Sequence, residues 1–313
     1  MSLHGGSVAI IGSGFIGTSW ALVFARAGKK VKVYDTDAEA IANAGNLVSE
    51  QIDLLRGAGA PGVTESFVDQ MSFTCDLEEA LEGASYVQEC APEVLETKID
   101  LFNAFESIVD STCILASSTS GITASKFTEF MEYRHRALVV HPTNPPHLIP
   151  LVEIAPSPWT SRETTNNVVQ LMVEIGQSPI VVKREIQGFI LNRLQGALLN
   201  EALRLAEGEY ASTDDIDKAI RDGLGLRWSF MGPFETIDLN APGGLVDYAA
   251  RYGEMYREMS RAQSDEVTWD KALIRKLHDD RRELLARDRL EERQVWRDKR
   301  LASLAVHIAS QEK

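Results

Sequence analysis

One hexapeptide does most to limit what this chain can fold into: Gly12-Ser13-Gly14-Phe15-Ile16-Gly17. It follows a short run of β-type apolar residues, Ser7–Ile11, and opens a helical pattern, Phe15–Ala27, that stops at Gly28. A second strand pattern, Val31–Tyr34, ends at Asp35. Strand, turn, helix and strand within about thirty residues form the crossover of a parallel sheet. Gly12 permits a tight turn, Gly14 lets backbone approach a pyrophosphate, and Gly17 lets helix and strand pack closely. The helix start, with Phe15 and Ile16, turns unpaired N–H groups toward an anion. Asp35 can accept the ribose hydroxyls of an adenosine and would repel a 2′-phosphate, so the expected cofactor is NAD.

The alternation continues. Helices are predicted at Ala38–Leu55, Glu93–Val109 and Ser161–Ile175. Strands are predicted at Ala84–Glu89, Cys113–Ala116, Ala137–His141, Leu151–Ile154 and Pro179–Val182. After Gly188 only helical patterns follow: Phe189–Glu207, Asp214–Asp222, Gly244–Ser260, Thr268–Arg282 and Leu284–Ile308. The expected architecture is therefore a Rossmann-type, doubly wound, mostly parallel sheet over residues 1–187, followed by an all-α domain over residues 188–313.

Charge and cysteine content narrow the function. The formal net charge is −14, which gains nothing from the counterion release that drives nucleic-acid binding. The segment His278–Arg300 holds eight Arg or Lys and seven Asp or Glu, a pattern of i,i+4 pairs on a solvated helix rather than a basic arm. Trp20, Trp269 and Trp296 are expected to fill gaps between helices. The three cysteines have no zinc spacing and their odd count fits a reducing compartment; no metal is expected. The N-terminal residues lack the features of a signal peptide and no apolar run is long enough for a bilayer, so a cytoplasmic, membrane-free protein is expected.

Three strand ends carry polar clusters: Ser117-Ser118-Thr119-Ser120, His141-Pro142-Thr143-Asn144, and Glu153. In a doubly wound sheet such ends line the ligand crevice. Singly, each has a plain structural reading as a helix cap or a hydrogen-bonded histidine. Together with Val8–Trp20, Gln88–Glu93, Gly188–Gln195 and Gly223–Asn240, they give the chain a resemblance along nearly its whole length to the 3-hydroxyacyl-CoA dehydrogenase family. Within that family it looks most like the lambda-crystallin branch, whose members act as L-gulonate 3-dehydrogenases.

The resemblance implies roles. His141 matches the general base and Glu153 the carboxylate that orients it. Ser120 and Asn192 match donors to the substrate oxygen, Asn192 alternatively to the histidine. Glu93, Lys98 and Asn144 match positions near the nicotinamide ribose, although Lys98 also reads as a helix-surface salt bridge to Glu93 or Glu96. Arg227, a lone charge in the apolar, glycine-rich stretch Gly223–Pro233, is a candidate for a substrate carboxylate or an interface salt bridge. Residues 33–97 hold one basic residue, Arg56, and fourteen acids, a poor dock for the phosphates of an acyl-CoA. The expected reaction is oxidation of a small 3-hydroxy acid, L-gulonate first. Short-chain 3-hydroxyacyl-CoA and carnitine are alternative substrates, and a crystallin-like storage protein is a reading from another class. The family resemblance also implies a homodimer through the helical domain.

Overall fold

The computed structural model describes residues 6–265 and 267–311. The chain divides into two units, one of residues up to 193 together with 295 onward, the other Leu194–Gln294.

The first unit is built on eight strands: β1 (Ser7–Ile11), β2 (Val31–Tyr34), β3 (Met71–Thr74), β4 (Ala84–Glu89), β5 (Ile114–Ser117), β6 (Ala137–Pro142), β7 (Leu151–Pro156) and β8 (Ser178–Val181). They lie in the order β3-β2-β1-β4-β5-β6-β7-β8. All neighbouring pairs are parallel except β6 and β7, which run antiparallel. The order reverses between β1 and β4, which opens a crevice at their carboxyl ends.

Helices α1 (Phe15–Arg26), α2 (Ala38–Gly57), α3 (Leu77–Leu81), α4 (Leu95–Ile108), α5 (Ala124–Thr128) and α6 (Arg162–Glu174) connect these strands. Alternation along the strands supplies both faces of the sheet. Val8 and Ile10 of β1 join Trp20 and Phe24 of α1 and Val168 and Met172 of α6 in one core. Ala9 and Ile11 face the opposite way, into a second core with Phe102 and Phe105 of α4 and Phe127 of α5. Side-chain caps start α2, where Asp37 accepts from Glu39 N–H, and α6, where Ser161 accepts from Thr164 N–H. No side chain caps α1, and its first turn holds no acid.

Helices α7 (Leu191–Glu207), α8 (Thr213–Lys218), α9 (Gly225–Trp228), α10 (Pro233–Leu239), α11 (Gly244–Ala262), α12 (Lys271–Leu284) and α13 (Leu290–Gln311) complete the chain. The division between units falls inside α7 and α13, whereas the sequence placed one boundary at 187/188. Phe189 belongs to the second core of the sheet unit, which keeps residues 188–193 with it. At the other end, Leu301 and Ala302 of α13 pack with Leu22, Val48 and Ile52. Trp20 is fully buried as expected, whereas Trp269 and Trp296 are about half exposed. Strand β3 and helices α3, α5, α9 and α10 are additional to the elements that the sequence predicts. No helix among the described residues is long and apolar enough to cross a membrane.

Candidate active site

The glycine turn lies between β1 and α1, at the crevice. Its glycines differ in what they meet. A Cβ on Gly12, which has a φ of +110°, would lie 2.7 Å from the Cys90 carbonyl oxygen, and one on Gly17 would lie 1.8 Å from the Gly12 oxygen. The turn itself therefore excludes side chains at both positions. A Cβ on Gly14 would meet nothing within 4 Å. Open space before Gly14, beside a helix start with neither cap nor acid, is what a pyrophosphate requires.

At the end of β2, Asp35 Oδ2 accepts from Ser13 N–H at 2.8 Å and from Ser13 Oγ at 3.0 Å, while Oδ1 accepts from Asp37 N–H at 3.1 Å. Partial burial pushes the Asp35 carboxyl up, but the Ser13 and Asp37 donors outweigh it and hold the group below its ordinary value. It stays ionised, as an acceptor of ribose hydroxyls must. The residues present thus fit a dinucleotide without a 2′-phosphate.

The antiparallel turn of β7 against β6 makes the second part of the site. It places Glu153 directly opposite His141 in the ladder. His141 Nδ1 lies 2.8 Å from Glu153 Oε2. The other oxygen, Oε1, accepts from the N–H groups of Ile190 and Leu191 at 2.8 and 2.9 Å, the unpaired donors at the start of α7. Burial pushes the Glu153 carboxyl up; His141 and the Leu191 and Ile190 amides together bring it below the usual value. One carboxylate thus orients the imidazole and anchors the helix that carries Asn192. Phe189, at a left-handed φ of +48°, packs its ring 5.6 Å from that of His141.

The third part is the turn after β5. Glu93 Oε1 accepts from Thr119 Oγ1 and from the N–H groups of Ser120 and Gly121, both at 3.1 Å. Asn192 Nδ2 donates to the Ser120 carbonyl oxygen at 2.8 Å. The backbone of Ser120 is held from both sides, and its exposed side chain is left to act. One N–H of the Asn192 amide is therefore already committed to Ser120.

Lys98 is 1% exposed, which rules out the helix-surface reading. Its Nζ sits 3.0 Å from both oxygens of Glu89 and 3.6 Å from Glu93 Oε2. Glu89 is not among the residues the sequence assigns to the site, although it lies in the Gln88–Glu93 stretch that carries the resemblance. Phe15 and Asn144 are exposed and Ile16 is half-buried. Asn144 precedes a cis peptide bond to Pro145. Arg227 lies on α9 in the helical unit, exposed.

Known proteins resemble the chain over most of its length. Residues 7–186 match the 3-hydroxyacyl-CoA dehydrogenase NAD binding domain, and residues 188–279 match the 3-hydroxyacyl-CoA dehydrogenase C-terminal domain. The chain is 41% identical to the human (Homo sapiens) lambda-crystallin homolog, over 96% of this chain and 95% of that one. It is 37% identical to L-carnitine dehydrogenase of Pseudomonas putida, over 78% and 76%. A solved structure of an NAD+-dependent dismutase, 5-formyl-3-hydroxy-2-methylpyridine 4-carboxylic acid 5-dehydrogenase, superposes with a TM-score of 0.74 at 28% identity, covering 91% of this chain and 98% of that one. With its turn, its crevice and both family domains in place, the chain belongs to the 3-hydroxyacyl-CoA dehydrogenase family of NAD-dependent oxidoreductases, which act on 3-hydroxy groups.

Proposed function

We propose that the protein oxidises a small 3-hydroxy acid, with L-gulonate to 3-dehydro-L-gulonate as the leading reaction. The His141–Glu153 pair supplies the base. With Nδ1–H given to the carboxylate, Nε2 keeps its lone pair and takes the proton of the substrate hydroxyl. Glu153 then stabilises the imidazolium. The Ser120 hydroxyl and the second N–H of Asn192 are donors for the negative charge that grows on the substrate oxygen. NAD, when bound, accepts the hydride that leaves the carbinol carbon.

The observation that carries the choice of substrate is the charge between β2 and α4. The one basic residue there ahead of Lys98, Arg56, is already paired with Glu65 at 3.1 Å and Asp53 at 3.6 Å. No free cation remains on that stretch for the phosphates of coenzyme A. A small acid needs only one carboxylate partner, and Arg227 is the side chain we assign to it. The match to lambda-crystallin homologs over almost the whole chain supports the gulonate branch over carnitine.

Assay of L-gulonate, 3-hydroxybutyrate, carnitine and 3-hydroxybutyryl-CoA with NAD tests the reading. NADH formation is expected to be fastest with L-gulonate. Preference for the CoA ester would overturn the substrate, and silence with all four would favour a storage protein.

The working form we propose is a homodimer in the cytoplasm. In Leu194–Gln294 the buried apolar residues, among those described, are Leu203 and Ala241, and none of that unit enters a core cluster. Leu226, Phe230, Phe234 and Val246 are each at least 66% exposed. A hundred-residue helical unit without its own core needs a second copy to cover it. Its sedimentation mass should be twice the 34.6 kDa of one chain. All three cysteines are unpaired, in keeping with a reducing compartment.

A further inference from the structure

Between the end of β4 and the first turns of α4 lie three charges that the proposed proton transfer does not consume: Glu89, Glu93 and Lys98. Glu89 is 0% exposed. Every neighbour of its carboxylate is a donor. Lys98 Nζ reaches both oxygens at 3.0 Å, Ala91 N–H gives 2.7 Å, and the Ser117 hydroxyl donates to Oε2. The Ser117 oxygen in turn accepts from Thr119 N–H at 3.2 Å, so its proton points at Glu89. Burial pushes the Glu89 carboxyl up, while the Lys98 ammonium and the Ser117 and Ala91 donors pull it the other way by favouring the carboxylate. As an ion-paired set of two carboxylates around one ammonium, the trio has a net charge of −1.

Its position gives that charge a target. The trio sits at the carboxyl end of β4, next to β1 across the reversal of strand order. The Cys90 carbonyl, one residue after Glu89, is what a Cβ on Gly12 would strike, so the dinucleotide turn rests against this backbone. Asp35 marks the adenosine side, on β2. A dinucleotide laid across the crevice therefore brings its nicotinamide half to the β4 side.

We propose that this anionic trio, with Glu89 and Lys98 buried and Glu93 at the crevice, sets the preference of the site for oxidised over reduced cofactor, with Glu89 as the positioning residue that holds Lys98 in place and supplies the excess negative charge. The nicotinamide ring is a cation in NAD+ and neutral in NADH. A net charge of −1 nearby strengthens NAD+ binding relative to NADH. The same carboxylates clamp the turn from Ser117 to Gly121, so the charges that tune the cofactor also hold Ser120.

The test is binding, without substrate. Dissociation constants for NAD+ and NADH are measured by titration calorimetry on three variants. Glu89→Gln brings the net charge to 0 and should raise the ratio Kd(NAD+)/Kd(NADH). Lys98→Met brings it to −2 and should lower the ratio. The double substitution returns it to −1 and should restore the wild-type ratio. For a unit charge about 10 Å away at an effective dielectric of about 20, each single shift is on the order of tenfold. A purely structural role would move both single variants in the same direction, and that result, or an unchanged ratio in Glu89→Gln, overturns the proposal. Should either single variant fail to fold, Glu93→Gln, at a position 43% exposed, carries the same test: the ratio must rise.

Discussion

Replacing Glu153 by glutamine alters little in shape and much in donor count. Three donors meet the native carboxylate: His141 Nδ1–H on one oxygen, and the Ile190 and Leu191 amides on the other. Glutamine offers one oxygen and an NH2 that can only donate. If the oxygen faces His141, the NH2 confronts two backbone N–H groups that cannot change. Each buried donor left unpaired costs about 1–3 kcal/mol. If the oxygen faces α7, the NH2 confronts Nδ1, and the imidazole can answer by moving its proton to Nε2. The second arrangement is the cheaper one, and it removes the lone pair that takes the substrate proton. General-base catalysis contributes about 10²–10⁴, so kcat should fall by about 10³. The NAD dissociation constant should stay within about threefold, because Glu153 touches none of the turn residues.

The same substitution has a pH signature. The folded-state pKa of Glu153 is held below its ordinary value. Its contribution to stability is therefore present above the unfolded value near 4.5 and is lost as pH falls through the lower folded value. Glu153→Gln should melt earlier than wild type at neutral pH, and the gap should close in acid. Single-turnover kinetics by NADH absorbance and melting at the two pH values check both. A variant that keeps kcat within about threefold of wild type would refute the tautomer argument.

Other perturbations separate the parts. Gly17→Ala forces a Cβ to within 1.8 Å of the Gly12 oxygen and should lower Tm and abolish NAD binding together, whereas Gly14→Ala, with nothing within 4 Å, should leave Tm unchanged and weaken NAD binding by more than about tenfold. Arg227→Met should raise KM for an anionic substrate by about tenfold while NAD affinity holds, the loss expected for one charge-assisted hydrogen-bonded pair; an unchanged KM removes Arg227 from the substrate site. His147 is buried, its Nδ1 bonded to Ser19 Oγ and its Nε2 without a partner, and burial pushes it down to about 4. Stability from its neutral form is present above 6.5 and is lost as pH falls toward 4, by about 3 kcal/mol, so His147→Phe should flatten the melting profile across that window.

What was legible in the sequence follows from how local each signal is. The turn from Gly12 to Gly17 declares itself because strand, glycines and helix are contiguous. Strands β2 and β4 match residue for residue, being short β-type segments bounded by turns. Strand β3 escaped: four residues at the sheet edge, none of them buried, leave too short a pattern to read. The boundary near 188 lies where strands stop; just past it, Phe189 and the amides of Ile190 and Leu191 bind backward into the sheet unit. His141 and Glu153 are assigned through family resemblance, and only the antiparallel register explains why two residues twelve positions apart stand face to face. Glu89 was illegible because its role depends on Lys98 and Ser117, partners brought by two other elements.

The three carboxylates share one device. Glu153 joins a strand residue to the start of α7, Glu93 joins Lys98 to the turn after β5, and Glu89 joins β4, α4 and β5. Each uses its oxygens on different elements, so each sets the spacing between two pieces of the site. The cationic partners differ in kind. In the proposed reaction an ammonium such as Lys98 holds a field, whereas an imidazole such as His141 passes a proton in each cycle. Placing the ammonium pair on the cofactor side and the imidazole pair across the antiparallel strands separates field from proton transfer. That separation predicts independent effects: Glu89→Gln should shift cofactor preference without removing the general-base contribution to kcat, and Glu153→Gln should do the reverse. If either substitution moved both observables together, the two carboxylates would be acting as one network.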